Sequence, residues 1–242
     1  MVEANSQPKE KPLFRIFTAV PPRYDLVNRI FTLGMDESWR KKTATYCLIT
    51  NPEKVLDLCC GTGDLAIWLA RLARPVTNIS GLDYSQPMLE RAASKAALQI
   101  LKTPISFIQG DVSALPFPDS NFDVIGISFA FRNLTFENPL TEKYLLEVVR
   151  VLKPGGRFVI IESSQPPNRF IRALHHLYLT GFVRNIGNYL SKNRPAYNYL
   201  AESARRFYTA EELAALLVRS NFRQVDFNRL FFGACSIHIA TK

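Results

Sequence analysis

The chain has 242 residues, 47% of them hydrophobic and 21% charged, with 15 prolines and 11 glycines. That length and mix describe one large globular domain with a substantial core, and exclude a disordered or disulfide-stapled chain. A formal charge of +9 invites a nucleic-acid partner, yet the excess is local: Arg169 to Arg206 holds seven Lys or Arg residues against one acid, Glu202.

Residues 1–12 are polar and read as a tail, and residues 13–242 as one domain. No stretch approaches the roughly 18 apolar residues of a membrane span, and the start lacks a signal-like apolar region. Within 13–50, Phe14 to Phe17 and Tyr24 to Phe31 carry apolar residues at helical spacing. Asp36 is expected to cap a further helix reaching Leu48, ended by Asn51-Pro52. The cofactor-binding core is placed at 54–162, where strands alternate with helices. The strands are Val55–Leu58, Val76–Leu82, Ile105–Gln109, Phe122–Ser128 and Arg157–Glu162. The helices are Asp64–Leu72, Gln86–Ile100 and Glu137–Leu152, the last stopped by Lys153-Pro154-Gly155-Gly156. A helical, aromatic insertion is expected over 168–210, with one helix from Asn168 to about Ser191. In 211–242, helix Glu211–Arg219 precedes strands Val225–Leu230 and Cys235–Ala240. The short connection between those strands demands an antiparallel pair. The expected fold is α/β: a Rossmann-like, seven-stranded, mostly parallel sheet with an antiparallel last strand and a helical cover, the order of class I methyltransferases.

The chemistry starts at Val55-Leu56-Asp57-Leu58-Cys59-Cys60-Gly61-Thr62-Gly63-Asp64. An apolar strand runs into a G-x-G turn and then a helix. Gly61 and Gly63 allow a sharp turn and bare main-chain N–H groups, with Thr62 between them. The second strand ends in Asp83-Tyr84, where a carboxylate accepts hydrogen bonds from both ribose hydroxyls. Tyr84 joins it as a cofactor-binding candidate. The third strand leads to Asp111-Val112, an acid and a following N–H suited to an adenine amine and ring nitrogen. The turn also satisfies G-x-G-x-x-A, so a nicotinamide cofactor competes. No Tyr-x-x-x-Lys pair accompanies it, and Asp64 would face a pyrophosphate with like charge. S-adenosylmethionine is the better reading. Cys47, Cys59, Cys60 and Cys235 show no metal-ligand spacing, so no metal is expected, and they suit a reducing, cytoplasmic setting.

Further segments carry a family likeness. They are Tyr24-Asp25-Leu26-Val27-Asn28 with Gly34 and Trp39, Ala114-Leu115-Pro116-Phe117-Pro118-Asp119, and Ile127-Ser128-Phe129-Ala130-Phe131-Arg132-Asn133-Leu134. Val151 to Arg157 and Tyr199-Leu200-Ala201-Glu202-Ser203 with Arg206-Phe207 complete them. With these the chain resembles the ubiquinone/menaquinone biosynthesis C-methyltransferase family from about Phe14 onward. It departs from the family pattern at Cys59-Cys60, at Asp111-Val112 and in the loose match of Phe231 to His238. The resemblance implies that Thr62, Asp83, Asp111-Val112 and Ser128 line the S-adenosylmethionine site, and that the substrate is a lipophilic quinol methylated on ring carbon. Arg132 is then the candidate for stabilising a phenolate, and Tyr24 for binding or relaying a proton at the other oxygen. His175 and His176 are weaker base candidates.

The stretch 169–206 reads first as a substrate cover. A sharper reading has its cations and aromatics touch the inner face of a membrane; no nucleic acid is expected, and a homodimer is left open. Rival functions are methylation of another small molecule or of RNA, and a non-catalytic S-adenosylmethionine-binding module.

Overall fold

A computed structural model describes Arg29, Thr32 and residues 34–183 and 194–242, with residues 182, 183 and 194–197 as backbone only. Tyr24, the tail and the helical patterns before Arg29 lie outside the described residues, as do the side chains of Phe182, Tyr189 and Tyr197.

In chain order the elements are α1 (Met35–Leu48), β1 (Lys54–Leu58), α2 (Asp64–Leu72), β2 (Asn78–Asp83), α3 (Gln86–Ala97), β3 (Ile105–Gln109), β4 (Phe122–Ser128), α4 (Phe131–Thr135), α5 (Thr141–Val151) and β5 (Leu152–Ser163). They continue with α6 (Arg169–Leu177), a wide helical turn Tyr178–Val183, α7 (Arg194–Arg206), α8 (Ala210–Arg219), β6 (Gln224–Leu230), a tight turn Phe231–Gly233 and β7 (Cys235–Thr241). The sheet order is β3-β2-β1-β4-β5-β7-β6. Neighbours from β3 to β5 are parallel, while β7 runs antiparallel to both β5 and β6.

Both faces of the central strands are covered, which explains their mostly apolar runs. Leu56, Leu58, Ile125, Ile127, Phe158 and Ile160 pack on one face with residues of α5 and α8. Val55, Val124, Val159 and Ile161 face the other way, against Ala44, Cys47, Leu65 and Leu69 of α1 and α2. Residues alternate across a strand, so Asp57 and Ser128 share the second face with Val55 and Val124 and look toward α1 and α2.

Several expected boundaries move. Asp36 does not cap α1: Gly34 holds the N-cap in a left-handed conformation (φ 74°), and Asp36 sits inside the first turn. β2 starts at Asn78 because Val76 is solvent-exposed in the preceding turn. α3 stops at Ala97, leaving Leu98 and Ile100 exposed. The expected helix 137–152 begins only at Thr141, after the separate one-turn α4, because Asn138 turns the chain by accepting from Leu140 N–H. Lys153 to Gly156 is no break between helix and strand. β5 begins at Leu152, and the segment bulges between the pairs Phe122–Leu152 and Val124–Arg157, with Gly155 at φ 73°. The long helix expected from 168 ends as a regular α-helix at Leu177 and widens into the following turn.

Two side-chain ties hold the site's outer loops. Arg150 donates to the carbonyls of Leu115 and Phe117 while pairing with Glu147, and Glu147 accepts from Leu115 N–H at 2.6 Å. This pins the loop after β3. Gln165 donates to Ala204 O at 2.8 Å and meets His176 Nε2 at 2.7 Å, fastening α7 and α6 to the end of β5.

Candidate active site

The glycine turn follows β1 at the carboxyl edge of the sheet. Cys59, Gly61 and Gly63 all have positive φ (54°, 54° and 82°). Gly63 is needed twice over: beyond its left-handed backbone, a Cβ there would lie 3.0 Å from the Ala92 methyl. At Gly61 an added Cβ would meet nothing within 4 Å, so open space lies over that backbone.

The turn is drawn onto β2 by Asp83. Its Oδ2 accepts from Gly61 N–H at 2.9 Å and its Oδ1 from Ser85 N–H at 2.9 Å. Burial raises its carboxyl above the usual range, opposed by these N–H groups. A carboxylate offers about four lone-pair sites, so with the N–H groups of Gly61, Ser85 and Tyr84 bound it can still accept from a ribose hydroxyl. Tyr84 is half exposed beside it, and its carbonyl accepts from Gln109 Nε2 at 3.2 Å. Gly110 N–H bonds the Asp83 carbonyl at 3.0 Å, which carries the chain directly on to Asp111. Asp111 Oδ1 accepts from Ser113 N–H at 2.8 Å, and Val112 is buried. The structure therefore gathers Gly61, Thr62, Gly63, Asp83, Tyr84, Asp111 and Val112 around adjoining strand ends.

Ser128, at the end of β4, receives Arg40 Nε at 3.1 Å. Arg40 also pairs with Asp36, and its Nη1 lies 3.8 Å from Asp64 Oδ2. Asp64 pairs in turn with Lys95, whose Nζ reaches Thr62 Oγ1 at 3.4 Å. The like-charge argument at Asp64 thus needs revision, because two cations offset that carboxylate.

Asp57 was not singled out among the sequence candidates. It is 1% exposed on β1, with Oδ2 accepting from Ala66 N–H at 2.8 Å. Its Oδ1 is buried without a partner among the described residues. Burial pushes this carboxyl up to about 8; Ala66 N–H and Arg40 work against that, and Asp64 and Asp83 add to it. An orphaned buried acceptor under the glycine turn fits a site built for a cationic ligand. Its sequence signal was a lone acid inside an apolar strand.

On the other side of Ser128, Arg132 is fixed rather than free. Its Nη1 donates to Glu162 Oε1 at 2.9 Å and to Ser163 Oγ at 2.5 Å, while its own N–H donates to Glu162 Oε2 at 3.0 Å. Glu162 is fully buried. Arg132 Nε is buried with no partner among the described residues. From α7, the Tyr199 hydroxyl approaches Asn133 Oδ1 at 3.5 Å. Burial holds its phenol above the ordinary value, against the pull of Arg132. Glu162 and Tyr199 are not among the site residues that the sequence singles out, although an acid closing an apolar strand marks the first. His176 is tied to Gln165. Burial lowers His175 to about 4, leaving it neutral near pH 7.

The model of the ubiE/COQ5 methyltransferase family matches residues 5–242. The chain belongs to that family. A demethylmenaquinone methyltransferase of Thermotoga maritima is 41% identical over 232 residues, covering 95% of this chain and 96% of its own. The enzyme of that name from Lactiplantibacillus plantarum is 37% identical over 227 residues, covering 94% of each chain. Among solved structures, a SAM-dependent methyltransferase from Aquifex aeolicus aligns with TM-score 0.56 at 17% identity over 85% of this chain and 97% of its own, a likeness of fold. The seven-stranded order is the family's fold, and this protein is a methyltransferase.

Proposed function

We propose that the protein methylates a ring carbon of a demethylmenaquinol-type quinol in quinone biosynthesis. The methyl donor is S-adenosylmethionine. The observation that carries the substrate is full-length likeness: relatives named demethylmenaquinone methyltransferases cover nearly all of this chain at 34–41% identity. The residues fit the donor, with open space over Gly61, a half-buried diol acceptor in Asp83 and an unpaired acceptor in Asp57. Asp83, Asp111 and Val112 would hold its nucleoside, and Thr62, Gly61, Gly63 and Ser128 the rest. When bound it supplies an electrophilic methyl group.

The chain's own work is on the acceptor. A quinol hydroxyl has a phenol-like pKa near 10, so attack by the neighbouring carbon requires negative charge to build on oxygen. Arg132, held by Glu162 and Ser163, offers that oxygen its unpartnered Nε–H and a fixed positive charge in a site shielded from water. Tyr199, protonated at neutral pH, can donate a hydrogen bond to the same region. Tyr24 is proposed for the far oxygen by the resemblance.

The lipid tail of such a substrate suits peripheral membrane contact. No helix among the described residues is long and apolar enough to cross a membrane. α6 buries no residue and exposes Phe170, Leu174 and Leu177 along one stripe. The test of function is incubation with labelled donor and either a demethylnaphthoquinol or a methoxybenzoquinol, read by product mass. One methyl added to the naphthoquinol is expected; transfer to neither ring would overturn the reading.

A further inference from the structure

Arg40 has no role in the motifs that mark the family. It is 9% exposed on α1, ahead of the whole βα repeat. Its Nε serves Ser128 and its Nη1 serves Asp36 and Asp64. Its guanidinium carbon stands 5.3 Å from the centre of the Phe129 ring. Nη2 takes part in none of these contacts. Burying a guanidinium carries a desolvation cost that an ion pair only partly offsets. As a bolt between α1 and α2 it is unnecessary, since Ala44, Cys47, Leu65 and Leu69 already pack there.

The strand order says what such a cation is for. Asp83 and Asp111 occupy the tips of β2 and β3, so the nucleoside end belongs on that side of the glycine turn. The amino-acid end must then lie across β1 toward β4, where Ser128 and Arg40 meet. Asp36 and Asp64 face Arg40 and Lys95, so the local charge is balanced and a zwitterion can enter without net charge to bury. We infer that Arg40 is a cofactor-binding residue that holds the carboxylate of the methionine moiety. With its other nitrogens held by Ser128 and Asp36, the guanidinium presents Nη2 in a fixed direction, which a flexible lysine ammonium does not reproduce.

This inference rests on the cofactor and not on the quinol. Its test compares two ligands on the same protein: S-adenosylhomocysteine, which has the carboxylate, and 5′-methylthioadenosine, which lacks it. By calorimetry, R40Q should bind S-adenosylhomocysteine about 10- to 100-fold more weakly than wild type, the weight of a charged hydrogen bond. Its affinity for methylthioadenosine should be unchanged. Parallel loss of both ligands, or loss of neither, would make Arg40 a structural residue. If R40Q fails to melt cooperatively, R40K keeps the charge beside Asp36 and should still weaken S-adenosylhomocysteine selectively; equal effects on both ligands again overturn the inference. A wild-type protein that binds neither ligand removes the cofactor reading itself, a distinct result.

Discussion

At the scale of single residues, the Arg132–Glu162 pair ties chemistry to stability. Arg132→Ala would strand a fully buried carboxylate and cost about 3–5 kcal/mol, so loss of activity in that variant would say little about catalysis. Arg132→Lys keeps a cation beside Glu162 but removes the Nε donor. We expect it to melt near wild type, to bind S-adenosylhomocysteine normally and to turn over about 10²-fold more slowly, the size of one lost donor to a developing oxyanion. Turnover that merely follows the folded fraction would reduce Arg132 to a clamp. Asp57 makes the opposite case. Its acid stood in plain view within Val55 to Cys60, yet nothing in its neighbours told that one oxygen would be left without a partner.

At the scale of elements, legibility followed locality. β3 and β4 were readable to the residue because each is a short β-branched and aromatic run closed by turn residues, although β4 is buried inside the sheet and β3 is partly exposed at its edge. The start of β5 was not, since Lys-Pro-Gly-Gly is punctuation in any local reading and only its pairing with β4 makes it a bulge. Arg40 meets Ser128 across 88 positions, and no spacing rule reaches that far. The α6 stripe was legible as aromatic and basic but not as exposed. Phe170, Leu174 and Leu177 are 71%, 52% and 67% exposed. Phe232 adds a further exposed ring (72%) on the turn where Gly233 abuts Pro167, just ahead of α6. Arg169 and Arg172 flank the stripe, and we propose that an anionic lipid surface covers it. Replacing Phe170, Leu174 and Leu177 by Ser should abolish flotation with phosphatidylglycerol vesicles while sparing turnover of a short-tailed quinol. Each apolar side chain is worth about 1.5–3 kcal/mol on burial. Undiminished flotation would clear α6 of that role.

At the scale of the whole molecule, buried titratable groups set a pH window. His238 is fully buried with Nε2 at 2.9 Å from Ala210 O, and burial lowers it to about 4, as it does His175. From their ordinary 6.5 down to about 4 the unfolded chain takes up these protons first, so stability is lost on acidification. Asp57 has the reverse sign. Its carboxyl is raised from 3.8 to about 8, so the stability tied to its proton is complete below 3.8 and drains away as pH climbs toward 8. Between 6.5 and 8 the histidines are silent and Asp57 acts. Stability should fall across that interval by up to about 2 kcal/mol, at about 1.4 kcal/mol per unit. Asp57→Asn should flatten the slope in denaturant titrations taken at each pH. A variant as steep as wild type would exonerate Asp57.

The sheet is also closed out of turn. β7 is the last strand in chain order, yet it lies inside the sheet and pairs with both β5 and β6. During synthesis Phe158, Val159, Ile160 and Ile161 therefore emerge long before their neighbour exists. Until it arrives, β5 offers an apolar, unpaired edge to any other chain.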